Sequence, residues 1–174
     1  MNCSLDKKSL PAAFLIGLFL TLAMPAIHPS WRLVYFAPCL IFSIYQNSLP
    51  TTLWLAIACG MIIDLFSSYS SLGIHATAYC AAIFLLYPRK KHIFADSLTT
   101  LPVMTYLFSA LASLFTALVL HLLDLEDLFS WPWAGTDLLL FPLADALYAF
   151  TLFIFPALLF GKRIPRGSDY FLNK

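Results

Sequence analysis

Asp64, His75 and the serines between them are the residues whose types and spacing could support chemistry in this sequence. A carboxylate, an imidazole and neighbouring hydroxyls could form a catalytic site or a proton relay. The alternative is structural: Asp64 would accept hydrogen bonds from the backbone of a turn, with His75 as its polar partner. Because no second carboxylate, Gly-rich phosphate loop or G-x-S-x-G motif accompanies them, we favour the structural interpretation. The serines are residues 67, 68, 70 and 71.

Asp145 is a second acidic residue within an apolar stretch. A buried carboxylate must be paired, hydrogen-bonded or protonated. His121 is the partner that we predict, because the ends of two consecutive helices joined by one loop lie together. A ligand-binding or transport role for Asp145 is the alternative. His121 with the acids at 124, 126 and 127 fits no familiar metal-binding spacing, and we interpret these acids as a solvated rim.

The composition is that of an integral membrane protein. Of 174 residues, 61% are hydrophobic and 11% are charged, whereas a soluble domain carries roughly 25% charged residues. The mean hydropathy is +0.84. The four cysteines include no C-x-x-C pair, which argues against a disulfide framework or a metal-thiolate site. We therefore expect one membrane domain, residues 1–174, without a cofactor, a metal or a nucleic-acid partner.

The apolar runs predict an all-α bundle of about six transmembrane helices. They cover residues 10–27, 31–46, 52–66, 72–87, 101–123 and 138–160. The second run is short: at ~1.5 Å per residue its apolar part covers about 20 Å of a ~30 Å hydrocarbon core, so a kinked path or local thinning is needed. With six spans, every lysine and arginine except Arg32 lies on one side. The positive-inside rule then predicts that both termini are cytoplasmic.

Gly60 precedes Asp64 by one helical turn, so the two residues share a face. The glycine would let another backbone approach, and the carboxylate would face the same neighbour.

The pattern around these residues resembles the rod shape-determining protein MreD family of bacterial cell-wall elongation. It reads Gly60-x-x-x-Asp64-Leu65, a serine-rich loop, then Leu72-Gly73-x-x-Ala76-x-Ala78-Tyr79. The resemblance implies a six-span protein of the bacterial cytoplasmic (inner) membrane that is not an enzyme. It implies a scaffold for cell shape and peptidoglycan synthesis, working with a bitopic MreC-like protein, an MreB-like filament and the elongation transglycosylase and transpeptidase. Together with the roles inferred above for Asp64, His75 and Asp145, the resemblance gives the expected structural or partner-binding residues as Gly60, Asp64, Leu65, Leu72, Gly73, His75 and Asp145.

Two other functions remain open at this point. The first is the substrate-binding membrane subunit of a vitamin transporter, in which a pocket near the outer face would be lined by Asp64, His75, His121, Trp131, Trp133 and Asp145. The second is a small membrane enzyme acting on a lipid, which the absence of a catalytic motif disfavours.

Overall fold

The structure is a computed structural model that describes residues 9–27, 33–66, 72–91, 100–123 and 135–155. Six helices account for most of these residues. No strand occurs among these residues, so the all-α class is confirmed. The helices are α1 (Ser9–Ile27), α2 (Ala37–Gln46), α3 (Leu49–Phe66), α4 (Ile74–Leu86), α5 (Thr100–Leu122) and α6 (Thr136–Ile154). A 3₁₀ turn, Tyr87–Lys91, follows α4. Wider π-type turns flank the α-helical centre of α6, Phe141–Ala149.

Three of these helices are long and apolar enough to cross a membrane: α3 with 18 residues, α5 with 23 and α6 with 19. The chain is therefore described below as a membrane protein. The predicted runs 52–66, 72–87 and 101–123 coincide with α3, α4 and α5 to within a few residues. The last run, 138–160, extends past the described residues at 155.

The second predicted span, 31–46, differs most from the structure. Its helix, α2, has 10 residues and is therefore about 15 Å long, half of what a spanning helix needs. Residues Ala37 to Ile44 are all buried, and α2 packs against α1, α3 and α5. The apolar side chains of α2 are therefore buried against protein and do not face lipid. For this reason the length of α2 need not match the thickness of the membrane.

The N-terminal end of α2 lies at the middle of the bundle. Gly17, in the middle of α1, is close to it: a Cβ on this glycine would lie 3.0 Å from the ring of Phe36 and 3.0 Å from the Tyr35 carbonyl oxygen. Asp145, in the middle of α6, accepts a hydrogen bond from the Val34 N–H. The contacts of α1 and α6 with residues 34–36 therefore place the start of α2 at mid-bundle depth.

The C-terminal end of α2 reaches one end of the bundle, which we call the Lys90 end. The Lys90 ammonium donates to the Ile44 carbonyl oxygen at 3.0 Å and lies 3.9 Å from the centre of the Tyr87 ring. The Tyr87 hydroxyl donates to the carbonyl of Asn47. Hence α2 is a half-helix that runs from mid-bundle to the Lys90 end.

Small and polar residues form the buried face of α3. They recur at intervals of three or four positions, which is the spacing of one helix face, and they are Thr52, Ala56, Cys59, Gly60 and Asp64. This face packs on α4 in the most extensive helix contact of the described chain. Asp64 and the start of α4 lie at the end of the bundle opposite Lys90, which we call the His75 end.

Candidate functional site

Asp64 caps the N-terminal end of α4 from the neighbouring helix α3. Its side chain is fully buried and accepts hydrogen bonds from the backbone N–H groups of Gly73 at 2.9 Å, His75 at 3.1 Å and Ala76 at 3.4 Å. The first N–H groups of a helix lack partners within the helix and carry partial positive charge. No side chain of α4's own N-cap residue supplies this cap, so Asp64 supplies it.

His75 completes the coordination of the Asp64 carboxylate. Its ring Nδ1 lies 2.7 Å from Asp64 Oδ1, and a quarter of the side chain is exposed. On its other side the imidazole meets the ring of Tyr79 edge to face, with the centroids 6.4 Å apart. The contact fixes the orientation of the ring. This is the turn-holding arrangement that the structural interpretation of Asp64 requires.

Gly73 has the backbone conformation that the turn before α4 needs. Its φ of 101° lies in the left-handed region, where a side chain costs roughly 1–2 kcal/mol. A Cβ at Gly73 would meet nothing within 4 Å, so conformation and not space selects glycine here. The turn directs the Gly73 N–H at Asp64.

Gly60 allows α3 and α4 to meet at backbone distance. A Cβ built on it would lie 2.4 Å from the Cα of Ala76, 2.6 Å from its amide nitrogen and 2.9 Å from the His75 carbonyl carbon. The neighbour of Gly60 is thus the same first turn of α4 that Asp64 caps. Gly60, Asp64, Gly73, His75 and Ala76 together form one structural unit, which we call the α3–α4 joint.

Leu65 and Leu72 do not contribute to this joint. Their side chains are 68% and 67% exposed. Both lie at the His75 end and face outward. The four serines at 67, 68, 70 and 71 lie outside the described residues.

Asp145 forms a second, deeper polar centre. Its side chain is completely buried, with 0% exposure. The Val34 N–H donates to both carboxylate oxygens, at 3.0 and 3.2 Å, and the Ser109 hydroxyl of α5 donates to Oδ2. Asp145 therefore binds the backbone three residues before α2, whereas Asp64 binds the first turn of α4 itself.

The predicted pairing of Asp145 with His121 is wrong. His121 is exposed near the end of α5, twelve residues and hence about 18 Å along the helix from Ser109, which is the residue of α5 that binds Asp145. The physical reason is depth: Asp145 lies at mid-helix, so its partner on α5 must lie there too.

Two tyrosines near Asp145, Tyr35 and Tyr148, are not predicted from the sequence to belong to this polar centre. Tyr35 and Tyr148 meet edge to face, with centroids 6.0 Å apart, and both hydroxyls are buried without a hydrogen-bond partner among the described residues. The available signal was the spacing of Tyr148, three residues after Asp145 and so on the same helix face.

The structure describes only some of the residues that could bind a metal ion. Within the described residues, no group of three His, Cys, Asp or Glu side chains could hold a metal ion. The acidic residues 124, 126 and 127, with Trp131 and Trp133, lie outside the described residues.

Comparison with known proteins identifies no relative. No protein-family model, no curated protein and no solved structure matches this chain.

Proposed function

We propose that this chain is a non-enzymatic scaffold of the bacterial cytoplasmic membrane, of the kind that MreD proteins provide in cell-wall elongation. The observation that carries the proposal is the α3–α4 joint. Four of the residues on which the resemblance rests, Gly60, Asp64, Gly73 and Ala76, come from two consecutive helices and the turn before the second, and they meet in one contact. The motif thus describes how two membrane helices are fixed, which is what a scaffold requires.

The use of the two buried carboxylates supports the same proposal. Asp64 binds three backbone N–H groups and an imidazole, and Asp145 binds a backbone N–H and a hydroxyl. Each carboxylate joins two or three helices. Burying an ionisable group in a membrane is energetically costly. In this bundle both buried carboxylates hold helices in position, and a bundle held in this way would present partners with a rigid surface.

The proposed topology has six crossings with both termini in the cytoplasm. Under it, the Lys90 end faces the cytoplasm and the α3–α4 joint lies near the outer face. Arg89 and Lys90 lie together at one end of α4, and the positive-inside rule places such residues in the cytoplasm. The proposed partners are an MreC-like bitopic protein, an MreB-like filament and the elongation transglycosylase and transpeptidase.

Capture from membranes tests the scaffold proposal. The tagged full-length chain is solubilised from its own host in mild detergent, and the copurifying proteins are identified by mass spectrometry. We expect an MreC-like protein and the wall synthases. Depletion in a rod-shaped host should delocalise wall synthesis and round the cells. Unchanged cell shape after depletion, together with capture that lacks these partners, would refute the proposal.

A second candidate, the substrate-binding subunit of a vitamin transporter, is favoured by one observation. The half-helix α2 begins at mid-bundle, where the N–H of Val34, three residues before it, donates to Asp145. Discontinuous helices that end at mid-membrane build substrate sites in many transporters. The same capture experiment distinguishes the two functions. Copurification of a pair of ATPases together with a bound vitamin would refute the scaffold proposal and support the transporter function.

A further inference from the structure

The α3–α4 side of the bundle is short for a membrane crossing. At ~1.5 Å per residue, the chain rises about 22 Å between His75, at the start of α4, and Lys90, just after its end. By contrast, α5 has 23 residues and is therefore about 34 Å long. A hydrocarbon core is ~30 Å thick. The α4 segment thus falls short of this thickness, whereas α5 covers it.

A ring contact fixes the depth of α4 relative to α5. The rings of Tyr79 and Phe108 meet with their centroids 5.4 Å apart, so these two residues lie at one depth. Leu101, in the first turn of α5, packs in a cluster with α2, so α5 starts on the Lys90 side. Towards the other end, α4 continues from Tyr79 for about 6 Å to His75, and α5 continues from Phe108 for about 21 Å to Leu122. At the His75 end, α5 therefore extends about 15 Å further than α4.

The last helix, α6, also extends beyond the α3–α4 joint. The ring of Phe153, near the end of α6, meets that of Phe42 in α2 at a centroid distance of 5.2 Å, so α6 ends on the Lys90 side and begins on the other. The bond between Asp145 and Ser109 sets the depth of α6 against α5. From Asp145 back to Thr136, α6 rises about 13 Å. The joint is therefore recessed beside two helices that reach further.

The recessed joint exposes one polar side chain and two apolar ones. A quarter of the His75 side chain is exposed. Its Nδ1 is bonded to Asp64, and an imidazole has a second ring nitrogen that also forms hydrogen bonds. Leu65 and Leu72 are 68% and 67% exposed, and such side chains favour lipid over water. A boundary between hydrocarbon and polar headgroups at the depth of the joint suits both kinds of side chain.

We propose that the α3–α4 joint is a lipid-headgroup contact, and that the bilayer is thinner beside α3 and α4 than beside α5 and α6. In a flat bilayer with Lys90 at one surface, His75 would lie about 8 Å below the opposite headgroups. Burying the polar imidazole in hydrocarbon is unfavourable, whereas a bilayer thins around a short hydrophobic segment at modest cost. Phospholipid headgroups with their water therefore reach His75, and the acyl chains below them cover the exposed leucines.

Electron paramagnetic resonance of a nitroxide label tests this proposal. The label is attached to Leu65→Cys in the full-length protein, with the native cysteines replaced, in phosphatidylcholine vesicles. Its depth is read from relaxation by oxygen, which concentrates in hydrocarbon, and by a water-soluble nickel chelate. Leu140→Cys is the matched control, because Leu140 is also an exposed leucine, at 59%. It lies on α6 about 7 Å from Asp145 towards the His75 end, which is close to the depth of the joint.

We expect the label at position 65 to lie about 8 Å closer to the headgroups than the label at position 140. Leu72→Cys carries the test if Leu65→Cys does not fold. An equal or greater depth at position 65 would overturn the proposal, because the bilayer would then be flat. Shielding of position 65 from both reagents would also overturn it, because a protein chain would then cover the joint. The outcome is independent of the scaffold proposal, because it is read from a spectrum and not from partners.

Discussion

Gly60→Ala is the smallest change that should disrupt the α3–α4 joint. The new Cβ would lie 2.4 Å from the Cα of Ala76, and ordinary contact begins at 3.4 Å. The difference is about 1.0 Å, and α3 and α4 must separate by that distance, because the atoms that clash with the methyl group belong to the backbone and cannot rotate away.

The separation also reaches Asp64, one turn further along the same face. Its hydrogen bond to the Ala76 N–H is already 3.4 Å long and would be lost, and the bonds to Gly73 and His75 would lengthen. Overpacking costs about 1–3 kcal/mol, and a lost hydrogen bond to a charged group about 1.5–3 kcal/mol. Alanine regains about 0.5–1 kcal/mol through helix propensity. We expect a net loss of about 2–5 kcal/mol in the free energy of unfolding.

Thermal unfolding in one detergent, followed by far-ultraviolet circular dichroism, measures this loss. A loss of that size should lower Tm by about 4–20 °C. Gly135→Ala is the matched control, because Gly135 is exposed and a Cβ there meets nothing within 4 Å; its Tm should be unchanged or slightly raised. If Gly60→Ala melts at or above the temperature of the unaltered protein, the two backbones are not in contact at Ala76 and the joint does not exist.

Three further predictions concern the ends of the bundle. Asp64→Leu leaves the N–H groups at the start of α4 without an acceptor and should lower Tm more than Asp64→Asn, since each orphaned donor costs about 1–3 kcal/mol; equal melting temperatures would contradict the cap. Lys90→Met keeps the length of the side chain but removes its bond to the Ile44 carbonyl and its cation–π contact. It should cost about 1–2 kcal/mol, and an unchanged Tm would show that α2 needs no charge at its C-terminal end. In a cysteine-free background of intact cells, an impermeant thiol reagent should label Leu72→Cys and not Arg89→Cys; the reverse pattern would invert the proposed topology.

The parts of the structure that sequence reasoning reached are local in the chain. Gly60 and Asp64 are one turn apart, and the turn that Asp64 holds begins nine residues later, at Gly73, so the spacing alone indicated a shared face and a nearby partner. The helices α3, α4 and α5 follow from apolar runs of helical length.

The parts that sequence reasoning missed depend on long-range contacts. Asp145 binds the backbone of Val34, 111 residues away, and a backbone N–H leaves no trace in residue type. Residue types alone favour His121 as the partner, because an imidazole is chemically complementary to a carboxylate, but residue types carry no information about depth in the bundle. The short length of α2 cannot be predicted from hydropathy for a related reason. Hydropathy shows that a segment avoids water, but it does not distinguish a helix buried in protein from a helix that faces lipid.

The burial of α2 has a consequence for the biogenesis of the protein. A ribosome makes α2 long before it makes Asp145, yet Asp145 is the acceptor for the N–H of Val34, in the segment that leads into α2. Unpaired backbone N–H groups are not tolerated in lipid, so a nascent chain that ends before α6 has no stable place for α2. Synthesis of the last helix should therefore commit the bundle to its final packing, and chains that terminate earlier should be recognised and degraded by membrane proteases.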